Sequence, residues 1–241
     1  MKLNMHPRSH LTTLFLLGGI LLGSLGSAFA NEKQYGPGVS DTEIKIGQTI
    51  PYSGPLSAWS LDGYTYTAYF KMINAQGGIN GRKVDLISLD DAGSPPKAVE
   101  QTRQLIESDN VFLIFGTVGT PTNIAIQKYL NAKKIPHLFV QSGSPQFTNP
   151  KNFPFSVPAY PTYTIEAKVY ANFIKKTHPN AKIAIIYQQD TYGQGYLNAF
   201  KEGLGTDASK MIVREASYEV NDPTVDSQRS EERRVGKECR P

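Results

Sequence analysis

Apolar and polar positions follow two rhythms along the body of the chain. Residues 44–50 (Ile-Lys-Ile-Gly-Gln-Thr-Ile) alternate with period two, which predicts a strand. Pro51 and Ser53-Gly54-Pro55 end it. Over 64–73 the spacing becomes helical and places Tyr66, Tyr69, Phe70 and Ile73 on one face. Gly77-Gly78 and Asn80-Gly81 mark a turn ahead of a second strand over 83–89. Asp90 to Ser94 reads as a turn, and Pro95-Pro96 stands where the start of a helix tolerates proline, so a helix is predicted to about Glu107. Residues 111–115 are continuously apolar, as expected of a strand buried on both faces. A helix from about Thr122 to Ala132 and another buried strand over 136–140 follow.

The rhythm then pauses. Residues 141–161 carry prolines at 145, 150, 154, 158 and 161 around Phe147, Phe153 and Phe155. This stretch is too apolar for a free linker and reads as a chain crossing packed on both sides. Beyond it come a helix over 163–176, a strand over 182–187, a helix from Gly195 to about Gly203 and a strand over 210–218. Asp222-Pro223-Thr224 then opens a further helix. Repeated βα units imply an α/β fold of parallel sheets flanked by helices. The division predicted is a first lobe over 41–156 and the start of a second over 157–228. Two strands are too few for a sheet covered on both faces, so the second lobe reads as incomplete.

Both ends differ from this body. Residues 1–30 combine a short basic head, an apolar run over 11–22 and a small-x-small site at Ala28-Phe29-Ala30, which predicts a signal peptide cleaved after Ala30. The run is too short to span a bilayer, which takes about 20 apolar residues. No cysteine follows it for a lipid anchor, so a periplasmic, soluble product with a mature extension over 31–40 is expected. Residues 229–241 are dense in charge and hold the single cysteine, Cys239; they resemble the translation of an adapter read through from a truncated gene, a non-native tail. Of 25 Lys+Arg, two lie in the leader and five in the tail; of 21 Asp+Glu, three lie in the tail, which leaves 18 of each sign in the body. The basic balance thus belongs to the ends, and a nucleic-acid partner loses its compositional support. Without a cysteine, the body has no disulfide, thiolate nucleophile or thiolate metal site.

In open α/β sheets ligands bind beyond the carboxyl ends of the strands. Four such loops stand out. The loop 52–60 holds Trp59, the single tryptophan, as either an apolar wall for a ligand or a surface-packed hydrophobe. The loop 116–123 joins a buried strand to a helix whose N-terminus suits an anion, with Thr120 as a hydroxyl donor; the plainer alternative is N-capping by Thr120 or Thr122. Gln141, Ser142, Gly143 and Ser144 follow the next strand, so that two polar loops would line one cleft. In the loop 188–195, Tyr192 would close from the second lobe, unless it packs on that lobe and the glycines only shape the turn.

Catalytic groupings are lacking. His137 falls inside a strand, as a satisfied core or edge residue, and His178 ends a helix before Pro179; neither has metal-ligand spacing. Asp90-Asp91 reads as a turn and helix-start device. No G-x-G-x-x-G, P-loop or G-x-S-x-G is present, and no enzyme activity or cofactor is expected.

Asp41-Thr42-Glu43-Ile44-Lys45-Ile46-Gly47, Ser53-Gly54-Pro55, the run from Ile73 to Gly81 (INAQGGING) and Asp90-Asp91 together resemble the opening of leucine/isoleucine/valine-type periplasmic binding proteins. Ile183 to Tyr187 followed by Tyr192-Gly193-Gln194-Gly195 resembles the start of their second lobe. The resemblance covers about 41–228. It implies a two-lobed type I periplasmic binding fold that closes on a ligand and docks on the permease of an ATPase-driven ABC importer. It also implies Trp59 as an aromatic wall and Thr120 as a hydroxyl on the ligand carboxylate. Gln141 to Ser144 would supply backbone and hydroxyl partners, and Tyr192 the closing tyrosine. Gly143 departs from the threonine common at its position, and the acidic residue that holds an amino group would lie beyond residue 228. The segments 139–143 and 149–154 also resemble binders of aromatic or other organic acids, so a carboxylate ligand is expected, with or without an α-amino group.

Overall fold

A computed structural model describes residues 34–230; the expected leader and residues 231–241 of the expected tail lie outside the described residues. The first sheet is built from β1 (Glu43–Ile50), β2 (Lys83–Asp90), β3 (Leu113–Phe115), β4 (His137–Val140) and β5 (Ser156–Pro158). All neighbours are parallel, in the order β2-β1-β3-β4-β5. β1 and β2 pair over their full length, from Glu43 against Lys83 to Ile50 against Asp90, and β1 is buried from Ile46 onward. The alternation in the sequence therefore does not mark an exposed face: Gln48 and Thr49 are buried with their apolar neighbours, and Gln48 Nε2 donates to the Gly116 carbonyl at 3.0 Å.

Helices α1 (Ser60–Ala75), α2 (Pro95–Arg103) and α3 (Thr120–Ala132) connect these strands. α2 continues through a wider π turn over Gln104–Ser108. Ala98, Leu105, Val111, Ile114, Ile126 and Leu130 form the core between α2, α3 and the sheet. The second part starts with α4 (Tyr163–Thr177) and contains β6 (Ile183–Gln188), α5 (Thr191–Leu204), the short α6 (Ala208–Met211) and β7 (Ile212–Tyr218). Its two strands pair in parallel, and Ala167, Ala171, Ala199, Phe200, Leu204 and Met211 form its core. Among the described residues β6 pairs on one side only, and a groove of about 350 Å³ runs along it against Tyr192, Tyr196, Leu197 and Phe200.

The α/β fold read from the sequence is the fold observed, with several shifts. The stretch 141–161 is not a bare crossing: it holds a 3-10 turn (Pro145–Thr148) and the edge strand β5. Pro158 is tolerated there because an edge strand needs no N–H on its outer side. β5 falls across residues 156 and 157, where the sequence places the division between lobes. β3 is shorter than the apolar run that predicts it: Phe112 is exposed, although its N–H still reaches the Lys45 carbonyl at 2.9 Å. α5 begins four residues before Gly195, since Asp190 caps it by accepting from Tyr192 N at 2.8 Å and Gly193 N at 3.0 Å.

The Asp90-Asp91 pair does more than turn the chain. Asp90 accepts from Tyr52 N, Ser53 N, Ser53 Oγ (2.6 Å), Ala92 N and Lys97 Nζ (3.0 Å), fastening the loop after β1 to the end of β2. It does not cap α2, whose N-cap is Ser94. Despite the opposing effect of desolvation, these donors hold the Asp90 carboxyl well below the usual carboxylate range. Asp91 is buried, accepts from Gly93 N at 2.8 Å, and leaves Oδ2 without a partner; burial pushes its carboxyl up to about 6. The folded chain therefore retains a proton that the unfolded chain has released above the ordinary value near 4, and stability falls as pH rises from about 4 to about 6. Asp91→Asn is expected to abolish that decline, worth about 2–3 kcal/mol, in urea unfolding measured at a series of pH values. An unchanged slope in the variant would refute the assignment.

Candidate functional site

In a sheet of order 2-1-3-4-5, the chain leaves β1 and β3 in opposite directions, and the loops at their carboxyl ends open a crevice. The loops after β1, β3, β4 and β5 all lie at this edge of the first sheet. Four of the expected residues belong to one connected patch there.

Gly119 starts α3 with φ near +100°, a conformation that favours glycine, and offers no side chain to cap the helix. The capping alternative for the threonines therefore does not hold. Thr122 Oγ1 instead donates backward to the carbonyls of Val118 (2.7 Å) and Gly119 (3.1 Å). Thr120 points its hydroxyl at Ser142 Oγ (2.7 Å) and at the Tyr163 hydroxyl (3.1 Å). Both Thr120 and Ser142 are buried. Ser142 Oγ also accepts from Ser144 N at 3.2 Å, and Ser144 Oγ caps the 3-10 turn that follows. Three hydroxyls thus meet at the uncapped N-terminus of a thirteen-residue helix, where the peptide dipoles favour an anion.

A bulge sets up this meeting. In β4 the register slips between Leu138 and Val140, and Phe139 adopts φ of about +55°. A bulge re-aims the residues after it. Phe139 is left exposed, edge-on to Phe115 at 5.5 Å, while Val140, Gln141 and Ser142 all turn inward.

Gln141 is placed at the site but is engaged on every side. Its Nε2 donates to Tyr66 (3.1 Å) and to the Gly116 carbonyl (3.2 Å), and its Oε1 accepts from Tyr160 (2.8 Å). It ties α1, the β3 loop and the crossing together. Trp59 ends a 3-10 turn in the loop after β1, 47% exposed, on the same sheet edge; no contact with the hydroxyl patch is found among the described residues. Tyr192 stands in the first turn of α5 and packs edge-on against Tyr163, with ring centroids 5.3 Å apart. Burial first, then the neighbouring Tyr163, hold its phenol above the usual range, so it faces the patch as a neutral donor.

Sequence reasoning misses Tyr163. It opens α4 directly after the crossing, and its N–H donates to the Gly143 carbonyl at 2.7 Å. Its ring lies where a side chain at 143 would project: a Cβ on Gly143 would sit 2.5 and 2.6 Å from two ring carbons and 2.9 Å from the Pro161 carbonyl. Gly143 is the signal, since only a residue without a side chain leaves room there for the Tyr163 ring.

Beneath the patch His137 is fully buried in β4. Thr117 Oγ1 gives its one proton to Asn123 Oδ1, so His137 Nε2, at 2.8 Å from that oxygen, must carry the ring proton. The expectation of a satisfied histidine is half met, because Nδ1 has no partner. Asn123 Nδ2 in turn donates to the carbonyls of Thr117 and Gly119, which holds the loop that presents Thr120. Among the described residues no cluster of three or more His, Cys, Asp or Glu is placed to hold a metal, and no helix is long and apolar enough to cross a membrane.

Known proteins resemble this chain in sequence and in fold. The sequence pattern of the periplasmic binding protein family matches residues 43–230. A Leu/Ile/Val-binding protein homolog of Brucella melitensis is 27% identical over 183 residues, covering 75% of this chain and 48% of that protein. An amino acid binding protein of Pseudomonas aeruginosa is 29% identical over 180 residues, covering 73% and 46%. Among solved structures, an ABC transporter solute binding protein of R. palustris in complex with benzoate superposes with a TM-score of 0.69 at 24% identity, covering 80% of this chain and 53% of that one. The chain spans about half the length of the relatives it matches.

Proposed function

This chain belongs to the periplasmic binding protein family, and we propose that it is an extracytoplasmic solute-binding protein. In this reading it captures a small carboxylate between two lobes and delivers it to the permease of an ABC importer. The observation that carries the reading is the convergence of Thr120, Ser142 and Tyr163 hydroxyls at the N-terminus of α3, faced by Tyr192 from the other lobe. Neutral hydroxyls and helix amides stabilise an anion without taking a proton from it or attacking it, which suits capture and release. The amino acid binding relatives and the benzoate-bound neighbour share a carboxylate in their ligands, and this common group is what the patch addresses.

Binding is tested by titrating the chain with amino acids and aromatic acids while following Trp59 fluorescence and thermal stability. A ligand that binds the folded state raises stability by mass action. The absence of any response to carboxylates would sink the proposal. Thr120→Val keeps the shape of the side chain and removes its hydroxyl. A hydrogen bond to a charged group contributes about 1.5–3 kcal/mol, so carboxylate affinity is expected to fall about ten- to hundredfold. Affinity equal to the wild type would remove Thr120 from the site.

A further inference from the structure

We propose that Tyr163 is a ligand-contacting residue that determines specificity: its hydroxyl completes a three-hydroxyl seat with Thr120 and Ser142, and its ring turns that seat towards a carboxylate carrying an aromatic ring. The inference rests on the carboxylate reading above and names the class of ligand within it.

Three features place Tyr163 in this role. Its hydroxyl lies 3.1 Å from Thr120 Oγ1, and Thr120 Oγ1 lies 2.7 Å from Ser142 Oγ, so one acceptor group can be shared among all three. Its backbone and ring are fixed, since the N–H bonds the Gly143 carbonyl and the ring fills the space over Gly143. Thr162 caps α4 through Ile165 N, which holds the helix start beneath the ring. The third feature is aromatic. Tyr163 meets Tyr192 at 5.3 Å edge-on and Tyr196 at 5.8 Å, so the wall beside the hydroxyls is three rings deep. Ring edges and faces at such spacings favour a further aromatic group by about 0.5–1.5 kcal/mol per pair beyond its burial. An aliphatic side chain gains burial there but not this geometry.

Phenol and ring are separable. Tyr163→Phe retains the ring over Gly143 and removes the hydroxyl; Tyr163→Leu removes the ring. Calorimetric titration of the full chain with four probes separates the possibilities: benzoate, L-phenylalanine, L-leucine and 4-methylpentanoate, two with rings and two without. In the wild type the ring-bearing pair is expected to bind more tightly. Tyr163→Phe should weaken every bound probe about tenfold or more. Tyr163→Leu should bring the two pairs level, and if that variant does not fold, Tyr163→Phe and the wild-type ranking still decide. Wild-type affinity retained in Tyr163→Phe, or tighter binding of an aliphatic probe by the wild type, would overturn this assignment. Silence of the wild type towards all four probes overturns the carboxylate reading itself, an outcome distinct from either.

Discussion

Acidification from pH 6.5 to about 3 is expected to lower the stability of the protein by roughly 4–5 kcal/mol through His137 alone. Complete burial holds the imidazole down to about 3. As pH falls through 6.5 the histidine of the unfolded chain takes up a proton, while that of the folded chain does not. Between the two values the unfolded state binds more protons, and folding is disfavoured progressively. The geometry explains why the folded ring resists. Nε2 already donates to Thr117, and Nδ1 has no acceptor within reach, so a second N–H would be buried unpaired beside Phe147. Urea unfolding at pH 7, 5 and 4 should show the loss in the wild type and a much smaller one in His137→Gln, which retains a donor for Thr117. Parallel curves for the two proteins would show that His137 does not titrate in this way. Asp91 acts in the opposite sense between about pH 6 and 4, gaining stability as it takes up its proton. The wild-type profile is therefore a sum, and single-site variants are needed to separate its parts.

The second large effect lies in α5, where two glycines two residues apart are expected to respond with opposite sign. A Cβ on Gly193 would meet the end of β6, 2.7 Å from Gln188 N and closer still to Gln188 O. Backbone cannot rotate away as a side chain can, so Gly193→Ala must push α5 off the strand. Overpacking costs about 1–3 kcal/mol, and the upper end is expected here. At about 2–4 °C per kcal/mol for a chain of this size, Tm should fall by about 6–12 °C. Gly195 lies in the same helix, and a Cβ added there would meet nothing within 4 Å. Gly195→Ala should therefore stabilise, by up to about 1 kcal/mol from helix propensity. Calorimetry of both variants checks the pair. Two losses of equal size would mean that the helix, and not its approach to Gln188, is what matters.

The contrast between these glycines shows where sequence reading stops. Both stand in one expected loop, and nothing in Tyr-Gly-Gln-Gly distinguishes them; only the close approach of β6 does. Long periodic segments are legible because their apolar spacing extends over the whole element, as in β1, β2 and α4. β5 is not, since three residues ending in proline carry no period, and its strand character comes from pairing with β4. Of the candidate site, Thr120, Ser142 and Tyr192 are proposed from their places after strands, and the structure sets Thr120 beside Ser142 and Tyr192 against Tyr163. Tyr163 is hidden because its partner Thr120 is 43 residues earlier in the chain. Gln141 is visible as a polar residue, but its engagement with Tyr66 and Tyr160 depends on a bulge at Phe139 that no local signal announces. In the sequence Asp91 and His137 read as ordinary turn and core. Their unpaired atoms are properties of the surroundings.

The one-sided pairing of β6 bears on how the molecule breathes. β1 is hydrogen-bonded along both edges and buried over its last five residues, whereas every residue of β6 is only half-buried and one of its edges is unpaired among the described strands. Opening of a segment requires loss of the contacts it shares, and these are far fewer for β6 and β7 than for β1. Backbone amides of the second sheet will therefore exchange with solvent through local excursions that leave the first sheet folded. Tyr192, carried on the helix that begins where β6 ends, rides on the softer of the two platforms and meets Tyr163, whose hydroxyl reaches Thr120 on the harder one.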